Sequence, residues 1–212
     1  MNLKYMVAAG AILFSCTVSA DKAAGTGAYN GNFPMTMGNW DTRLVSGLNA
    51  QQIELYRISA EQGDASAQFK MALMYDRGKG MPQDYSKAVK WLRKSAEQDF
   101  VKAQYNLGGM YSSGQGVQQD HAEAAKWYRK AAERGFASAQ KNLGAQYGLG
   151  QGVPQNDGEA FVWSSIAAMS GDEGAVNNRD FAASKLSSED LDAAQKRATK
   201  LYEEIQQRKE GE

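Results

Sequence analysis

Apolar residues recur along the chain at intervals of three and four positions. Ala103, Leu107 and Tyr111 form one such series, and Ala124 and Trp127 belong to a second series that begins further along. This spacing predicts amphipathic helices rather than strands, because one face of a helix returns every 3.6 residues. Glycines and short polar stretches separate the two series. The pattern therefore predicts an all-α fold built from short helices.

The sequence matches itself when it is shifted by 36 residues. The predicted repeats cover residues 60–95, 96–131 and 132–167, and neighbouring repeats are identical at roughly half of their positions. Identity at this level over three copies indicates internal duplication, and a period of this length is typical of stacked helix pairs. We therefore expect a solenoid over residues 49–186, in which each repeat contributes a first and a second helix.

Glycine and short polar residues mark the helix ends. Each first helix is followed by a Gly-x-Gly sequence, and each second helix is preceded by Asp or Asn. Glycine readily adopts the left-handed conformation that ends a helix, and Asp and Asn cap free N–H groups at a helix start. The predicted ends are Gly78, Gly114 and Gly150, and the predicted starts are Asp84, Asp120 and Asn156. Gly63, Asp99, Gly135 and Gly171 are expected to close the second helices.

Three tryptophans occupy one position of the repeat. They lie in the second helices, three residues after an alanine. A large apolar side chain that returns with the repeat period predicts buried packing between neighbouring repeats. These residues are Trp91, Trp127 and Trp163.

Flanking stretches complete the predicted stack. Residues 49–62 align with a second helix, and residues 172–186 align with a degenerate first helix. Ser187 begins a last helix over residues 187–212, with Asp190 at the capping-box distance. One side of this helix is apolar and the other is charged, so we expect it to cap the solenoid against water. The apolar side consists of Leu191, Ala194, Ala198, Leu201 and Ile205.

The first twenty residues resemble a secretory signal. Lys4 precedes an apolar run over residues 5–14 that is too short to span a bilayer, and small residues precede a cleavage point before Asp21. Cys16 lies in a Leu-Phe-Ser-Cys sequence that resembles a lipobox, so lipidation at Cys16 is a second interpretation. We expect an exported protein that resides in the periplasm. A lipoprotein and a secreted form are the alternatives.

Residues 21–48 are rich in glycine and asparagine and lack apolar periodicity, which predicts a flexible tether. Large apolar side chains interrupt the tether. Two interpretations follow, because these side chains suit either docking on the first helices or a recognition segment that folds on a partner. They are Tyr29, Phe33, Met35 and Trp40.

Composition excludes several function classes. The chain carries 24 basic and 24 acidic residues, and this zero net charge excludes nucleic-acid binding by bulk positive charge. One cysteine and one histidine cannot form a Cys/His zinc cluster. The histidine, His121, is expected at the surface of a helix start. No phosphate-binding loop or nucleophile elbow is present, so we expect no cofactor and no enzyme.

Basic side chains collect on the predicted second helices. The first interpretation is a solvated convex face, diluted by acids such as Glu97 and Glu123. The second is a surface that binds an anionic layer such as lipid headgroups. The residues are Lys87, Lys90, Arg93, Lys94, Lys126, Arg129 and Lys130.

The repeat motif resembles the Sel-one-like repeat (SLR) family. It reads A-x-A-Q-x-x-L-G-x-x-Y, then G-x-G-V-x-Q-D, then A-x-x-W, and it recurs in register from Ala60 to about Ala168. The first repeat departs from it at Met71 and Met81, and the third departs at Asn156. The resemblance implies a right-handed, tetratricopeptide-like α-solenoid of stacked antiparallel helix pairs, with about three full repeats plus capping helices.

The resemblance also implies where a partner would bind. In tetratricopeptide-like solenoids the first helices line a concave groove, and the groove positions of this chain vary between repeats while the packing positions do not. Two aromatic groove residues are expected to be exposed and to anchor the partner. The expected groove residues are Phe69, Leu73, Asp76, Arg77, Lys102, Tyr105, Ser112 and Lys141.

Members of this family commonly act as adaptors. The resemblance therefore implies a non-catalytic scaffold of the bacterial envelope that holds a partner protein on its concave face. One alternative is an immunity protein that neutralises a secreted effector enzyme. Another is a cell-wall-related hydrolase or binding protein, although the relatives tied to penicillin binding carry cysteine pairs that this chain lacks.

Overall fold

The computed structural model describes residues 47–211, and within this range the chain forms nine α-helices and no strand. The prediction of an all-α fold is confirmed. The predicted signal over residues 1–20, and all but the last two residues of the predicted tether 21–48, lie outside the described residues. The helices are α1 (Ala50–Glu61), α2 (Ala65–Arg77), α3 (Tyr85–Glu97), α4 (Val101–Ser113), α5 (His121–Glu133), α6 (Ala137–Leu149), α7 (Asp157–Met169), α8 (Ala175–Ala183) and α9 (Ser188–Gly211).

The helices stack in chain order. Within a repeat, α2 packs on α3, α4 on α5 and α6 on α7. Between repeats, α3 packs on α4, α5 on α6 and α7 on α8, while α1 packs on α2 as half of a pair. Each pair thus contacts its neighbours in the sequence, and the buried alanines, leucines and methionines form one continuous core. The prediction of an α-solenoid is confirmed.

Side chains that the sequence marks as caps form the expected bonds. The Asp84 carboxylate accepts a hydrogen bond of 2.9 Å from the Lys87 N–H, and this bond holds the pKa of Asp84 below its usual range. Asp120 and Asn156 cap α5 and α7 in the same way. Asp99 closes α3 with a φ of 60°, where other repeats use glycine. The first helices end on left-handed glycines, namely Gly78, Gly114 and Gly150.

Gly152 brings the loop after α6 against the start of α5. Its φ is +72°, and a Cβ atom added there would lie 2.0 Å from the carbonyl oxygen of His121. Gly116 makes the equivalent approach one repeat earlier, where an added Cβ would lie 2.4 Å from the carbonyl oxygen of Tyr85. The second glycine of each of these two Gly-x-Gly sequences is therefore fixed by contact between repeats as well as by backbone conformation.

We expect Gly152→Ala to destabilise the fold more than Gly171→Ala. Both glycines have positive φ, of 72° and 91°, so either alanine costs about 1–2 kcal/mol for the left-handed conformation. An added Cβ at Gly171 meets no atom within 4 Å, whereas at Gly152 it overlaps backbone, which adds about 1–3 kcal/mol. Urea denaturation of the two variants measures this difference, and equal midpoints would contradict the close approach.

A buried glutamine joins each first helix to the helix before it. The Gln104 side-chain amide donates a hydrogen bond of 3.2 Å to the Ala96 carbonyl in the last turn of α3. A buried amide is costly unless it is bonded, so this bond explains why the motif keeps glutamine at an inward position. The equivalent bonds are Gln68 to Ala60 at 3.1 Å and Gln140 to Ala132 at 3.0 Å.

The prediction that all three recurring tryptophans are buried is wrong for two of them. Trp163 is buried, but Trp91 and Trp127 are only half-buried at the edge of the core. The deeply buried side chains are those of the next residues, Leu92 and Tyr128. Each of these lies four residues after a fully buried alanine and continues the inward stripe, whereas the tryptophan is one position off that stripe.

The last helix packs on α7 rather than forming a further pair with α8. It begins after Ser187, whose hydroxyl accepts the predicted hydrogen bond of 3.1 Å from the Asp190 N–H. Arg197 forms an ion pair with Glu159 of α7. The apolar stripe predicted from the sequence supplies the buried residues of α9, which are Ala194, Ala198 and Ile205.

Candidate functional site

The eight residues predicted to line the groove divide into a buried set and a solvent-facing set. Five side chains are only 2–7% exposed: Phe69, Leu73, Asp76, Tyr105 and Ser112. Arg77 and Lys141 are partly exposed, and Lys102 is exposed. The expectation that Phe69 and Tyr105 are solvent-exposed anchors is therefore wrong.

Phe69 and Tyr105 hold neighbouring repeats together. The Phe69 ring lies 5.2 Å from the ring of Phe100, and the Tyr105 ring lies 5.1 Å from the ring of Phe136. Phe100 directly precedes α4, and Phe136 directly precedes α6. Each pair thus joins one first helix to the start of the next. Tilted ring pairs of this kind contribute about 0.5–1.5 kcal/mol beyond the area that they bury.

Lys141 occupies the equivalent position in the third repeat, but its contact is ionic. Its ammonium group lies 2.9 Å from the carboxylate of Asp172, and the two side chains are 32% and 14% exposed. In all three repeats the partner lies 31 residues further along the chain. The change from an aromatic residue to lysine at this position accompanies a change from phenylalanine to aspartate at its partner. Considered without its partner, the position has the variability expected of a binding surface.

The polar groove residues are also partly committed to the fold. The buried carboxylate of Asp76 accepts a hydrogen bond of 2.8 Å from Arg77, and the Asp76 carbonyl accepts one of 2.7 Å from the Gln83 amide. The Ser112 carbonyl accepts the equivalent bond from Gln119. Lys102, by contrast, forms no ion pair with any residue in the part of the chain that the structure describes. Of the predicted set, Lys102 is therefore the side chain most available to a partner.

A second group of polar side chains lies on α3, outside the predicted groove. They line a surface cavity of about 420 Å³, and the described residues that line it all belong to this helix. The Lys94 ammonium lies 4.6 Å from the centre of the Trp91 ring, and Arg93 donates a hydrogen bond to the Tyr111 hydroxyl. The lining residues are Lys87, Lys90, Trp91, Arg93 and Lys94.

Between residues 47 and 211, no three His, Cys, Asp or Glu side chains come together in a group that could hold a metal ion. Over the same residues, no helix is both long enough and apolar enough to cross a bilayer.

A family model described as Sel1 repeat matches residues 53–64, 65–100, 101–136 and 137–172. Each of the three full matches begins with a first helix and keeps the 36-residue period. The partial match falls mostly within α1, the half pair at the start of the stack. Repeats of this family generally mediate protein–protein interaction and are typically non-catalytic.

Several solved structures resemble this chain, and two of them are described as proteins of this repeat or fold. A Sel1 repeat protein from Oxalobacter formigenes is 37% identical, with a TM-score of 0.57, over 61% of this chain and 98% of that one. The protective antigen c5321 of uropathogenic Escherichia coli, which displays an SLR fold, is 30% identical, with a TM-score of 0.55, over 72% of this chain and 41% of that one. Among curated proteins, none matches the chain significantly. Because the family model matches more than half of its residues, this chain belongs to the Sel1 repeat family.

Proposed function

We propose that this protein is a non-catalytic scaffold of the bacterial envelope that holds a partner protein against its first helices, α2, α4 and α6. The observation that carries the proposal is the stack itself. Four matched stretches of an interaction-type repeat form one continuous column, and Lys102, Arg77 and Lys141 of the predicted groove reach solvent. The envelope location is supported by the signal-like residues 1–20 and by relatives that are bacterial, one of them described as a protective antigen.

The burial of Phe69 and Tyr105 changes the kind of contact that the groove offers. With both rings packed between repeats, the groove presents Lys102 together with Arg77 and Lys141, whose charges are already paired with Asp76 and Asp172. A partner would therefore bind mainly through its own polar and acidic groups, with Lys102 as a cation that is not paired with any acid between residues 47 and 211. Charged contacts of this type mainly change the association rate and its salt dependence.

Replacement of Lys102 by a photo-crosslinking residue tests this function in the native envelope. We expect the chain to crosslink one protein reproducibly at position 102. A crosslinker at Lys196, which is exposed on α9, is the matched control and should not capture that protein. We also expect Lys102→Glu to weaken binding of the captured protein about tenfold, or about 1.4 kcal/mol, at an unchanged melting temperature because the side chain is exposed. Capture of lipid or glycan alone, or undiminished binding by Lys102→Glu, would contradict the proposal.

A further inference from the structure

One face of the second helices, here called the outward position, is buried in one repeat and exposed to solvent in two others. On α7 this face is formed by Val162, Trp163 and Ile166, which are 0%, 5% and 0% exposed. Its counterparts 36 and 72 residues earlier are exposed lysines on either side of a half-buried tryptophan. These counterparts are Lys126, Trp127 and Lys130 on α5, and Lys90, Trp91 and Lys94 on α3.

The covering element on α7 is a helix. α7 packs on α6 and α8 as α3 packs on α2 and α4, but only α7 packs on α9 as well. Arg197 of α9 is paired with Glu159, which lies one turn before Trp163 on the same face of α7. The chain therefore contains its own example of how this outward position accepts a docked helix across a tryptophan.

The same position on α3 keeps the tryptophan and reverses the surrounding chemistry. The counterpart of Glu159 is Lys87, and the counterparts of the two buried aliphatic residues are Lys90 and Lys94. We name Lys87, Lys90, Trp91, Arg93 and Lys94 the basic face. A helix that docks there as α9 docks on α7 must present acidic side chains where α9 presents Arg197 and small apolar residues.

Within residues 47–211, the charge of the basic face is largely uncompensated. Lys87 lies 3.3 Å from the capping carboxylate of Asp84. Lys90, Arg93 and Lys94 form no ion pair with any acid among residues 47–211. On α5, by contrast, Lys126 is bound 2.5 Å from Glu123, which raises the pKa of Lys126 and also offsets its charge. Of these two helices, α3 therefore attracts an anionic partner more strongly.

We propose that the basic face docks an acidic amphipathic helix of a partner protein, with an apolar residue of that helix against Trp91. Helix docking is favoured over attachment to an anionic membrane because the equivalent position on α7 is filled by a helix, and because a single half-buried tryptophan offers little area for insertion into lipid. The basic face lies on a second helix, whereas the groove lies on the first helices. Failure of this proposal would therefore leave the groove proposal standing.

The probe is a synthetic copy of residues 188–211 in which Lys196, Arg197 and Lys200 are replaced by glutamate. It keeps the apolar spacing of α9 and supplies acidic residues for the basic face. The unmodified α9 sequence and a scrambled form of the acidic peptide serve as control peptides. We expect fluorescence anisotropy to show saturable binding of the acidic peptide to the full chain, at least tenfold tighter than either control. Binding should weaken as salt shortens the range of the attraction.

Matched charge reversals locate the binding site. We expect K90E/K94E to weaken peptide binding at least tenfold, while K196E/K200E, which makes the same change of charge on α9, leaves it within twofold. The four tryptophans also provide separate indole N–H signals in a ¹H–¹⁵N spectrum. The Trp91 signal, assigned with a Trp91→Phe variant, should shift on titration, whereas that of the buried Trp163 should stay in place.

Each contrary outcome would overturn the proposal. Equal binding of the acidic peptide and its scrambled form would show charge attraction without helix docking. Equal binding by K90E/K94E and K196E/K200E would place the contact elsewhere. Absence of saturation up to millimolar peptide, together with phosphatidylglycerol vesicles bound by the native chain and released by K90E/K94E, would assign the basic face to an anionic membrane.

Discussion

A chain that carries Phe69→Ala and Tyr105→Ala together is expected to be largely unfolded at room temperature. Truncation of a buried aromatic side chain costs about 3–5 kcal/mol, so two such losses cost about 6–10 kcal/mol. The two sites contact different rings, Phe100 and Phe136, and their effects should nearly add. Domains of this size have a free energy of unfolding of about 5–15 kcal/mol, so little of it would remain.

Far-UV circular dichroism and urea denaturation measure this loss. Lys141→Ala is the matched control, because Lys141 occupies the same position in the third repeat but contributes a partly exposed ion pair. Such pairs contribute about 0–1 kcal/mol, so the control should stay folded. Near-native helicity and melting in the double variant would contradict the packing role. That result would instead support the sequence-based expectation that Phe69 and Tyr105 are solvent-facing anchors.

Helix ends were predictable from the sequence because they depend on neighbouring residues. An Asp or Asn cap binds an N–H group three residues away, and a left-handed glycine acts on its own backbone, so Asp84 and Gly78 carry their function in the local sequence. The solenoid was predictable for a related reason. Each helix packs mainly on its neighbours in the chain, so the 36-residue period is enough to predict which helices are in contact.

The candidate groove was harder to predict because its packing is non-local. Phe69, Tyr105 and Lys141 differ from one another, which is what a binding surface would show. The compensating changes lie 31 residues away, at Phe136 and Asp172 among others. When each of these residues is compared with the residue 31 positions later, the two aromatic residues are matched with aromatic residues and the lysine with an aspartate. Position-by-position variability alone does not separate a binding residue from one half of a covarying contact.

The tryptophans show the opposite case, because a position that is invariant between repeats suggests the centre of the core and lies at its edge. The deeply buried position is the next one, where Leu92, Tyr128 and Ser164 differ in size. Gly108 on the facing first helix leaves room for the Tyr128 ring, because a Cβ added at Gly108 would lie 2.8 Å from it. Gly144 lies similarly close to the smaller Ser164, where an added Cβ would lie 2.5 Å from the hydroxyl oxygen. A core position can therefore carry side chains of different size in different repeats, and its variability does not mark it as surface.

Tyr128→Ala is accordingly expected to cost more stability than Trp127→Ala. The Tyr128 side chain is 1% exposed, its ring centre lies 5.7 Å from that of Tyr105, and burial raises its pKa. Its truncation leaves a cavity and should cost about 3–5 kcal/mol. Trp127 is half-buried, so its truncation should cost roughly 1–2 kcal/mol. Urea denaturation of the two single variants compares the costs directly, and a larger loss for Trp127→Ala would restore tryptophan as the core residue.

Gly108→Ala should lower the free energy of unfolding in the native chain and raise it in the Tyr128→Ala variant. In the native chain the new methyl group meets the Tyr128 ring, and overpacking costs about 1–3 kcal/mol, only partly offset by the better helix propensity of alanine. In Tyr128→Ala the ring is absent, so the same substitution should stabilise α4 by about 0.5–1 kcal/mol and fill part of the cavity. Unfolding free energies of the four chains form a double-mutant cycle. An identical effect of Gly108→Ala in both backgrounds would mean that the ring does not lie against this glycine.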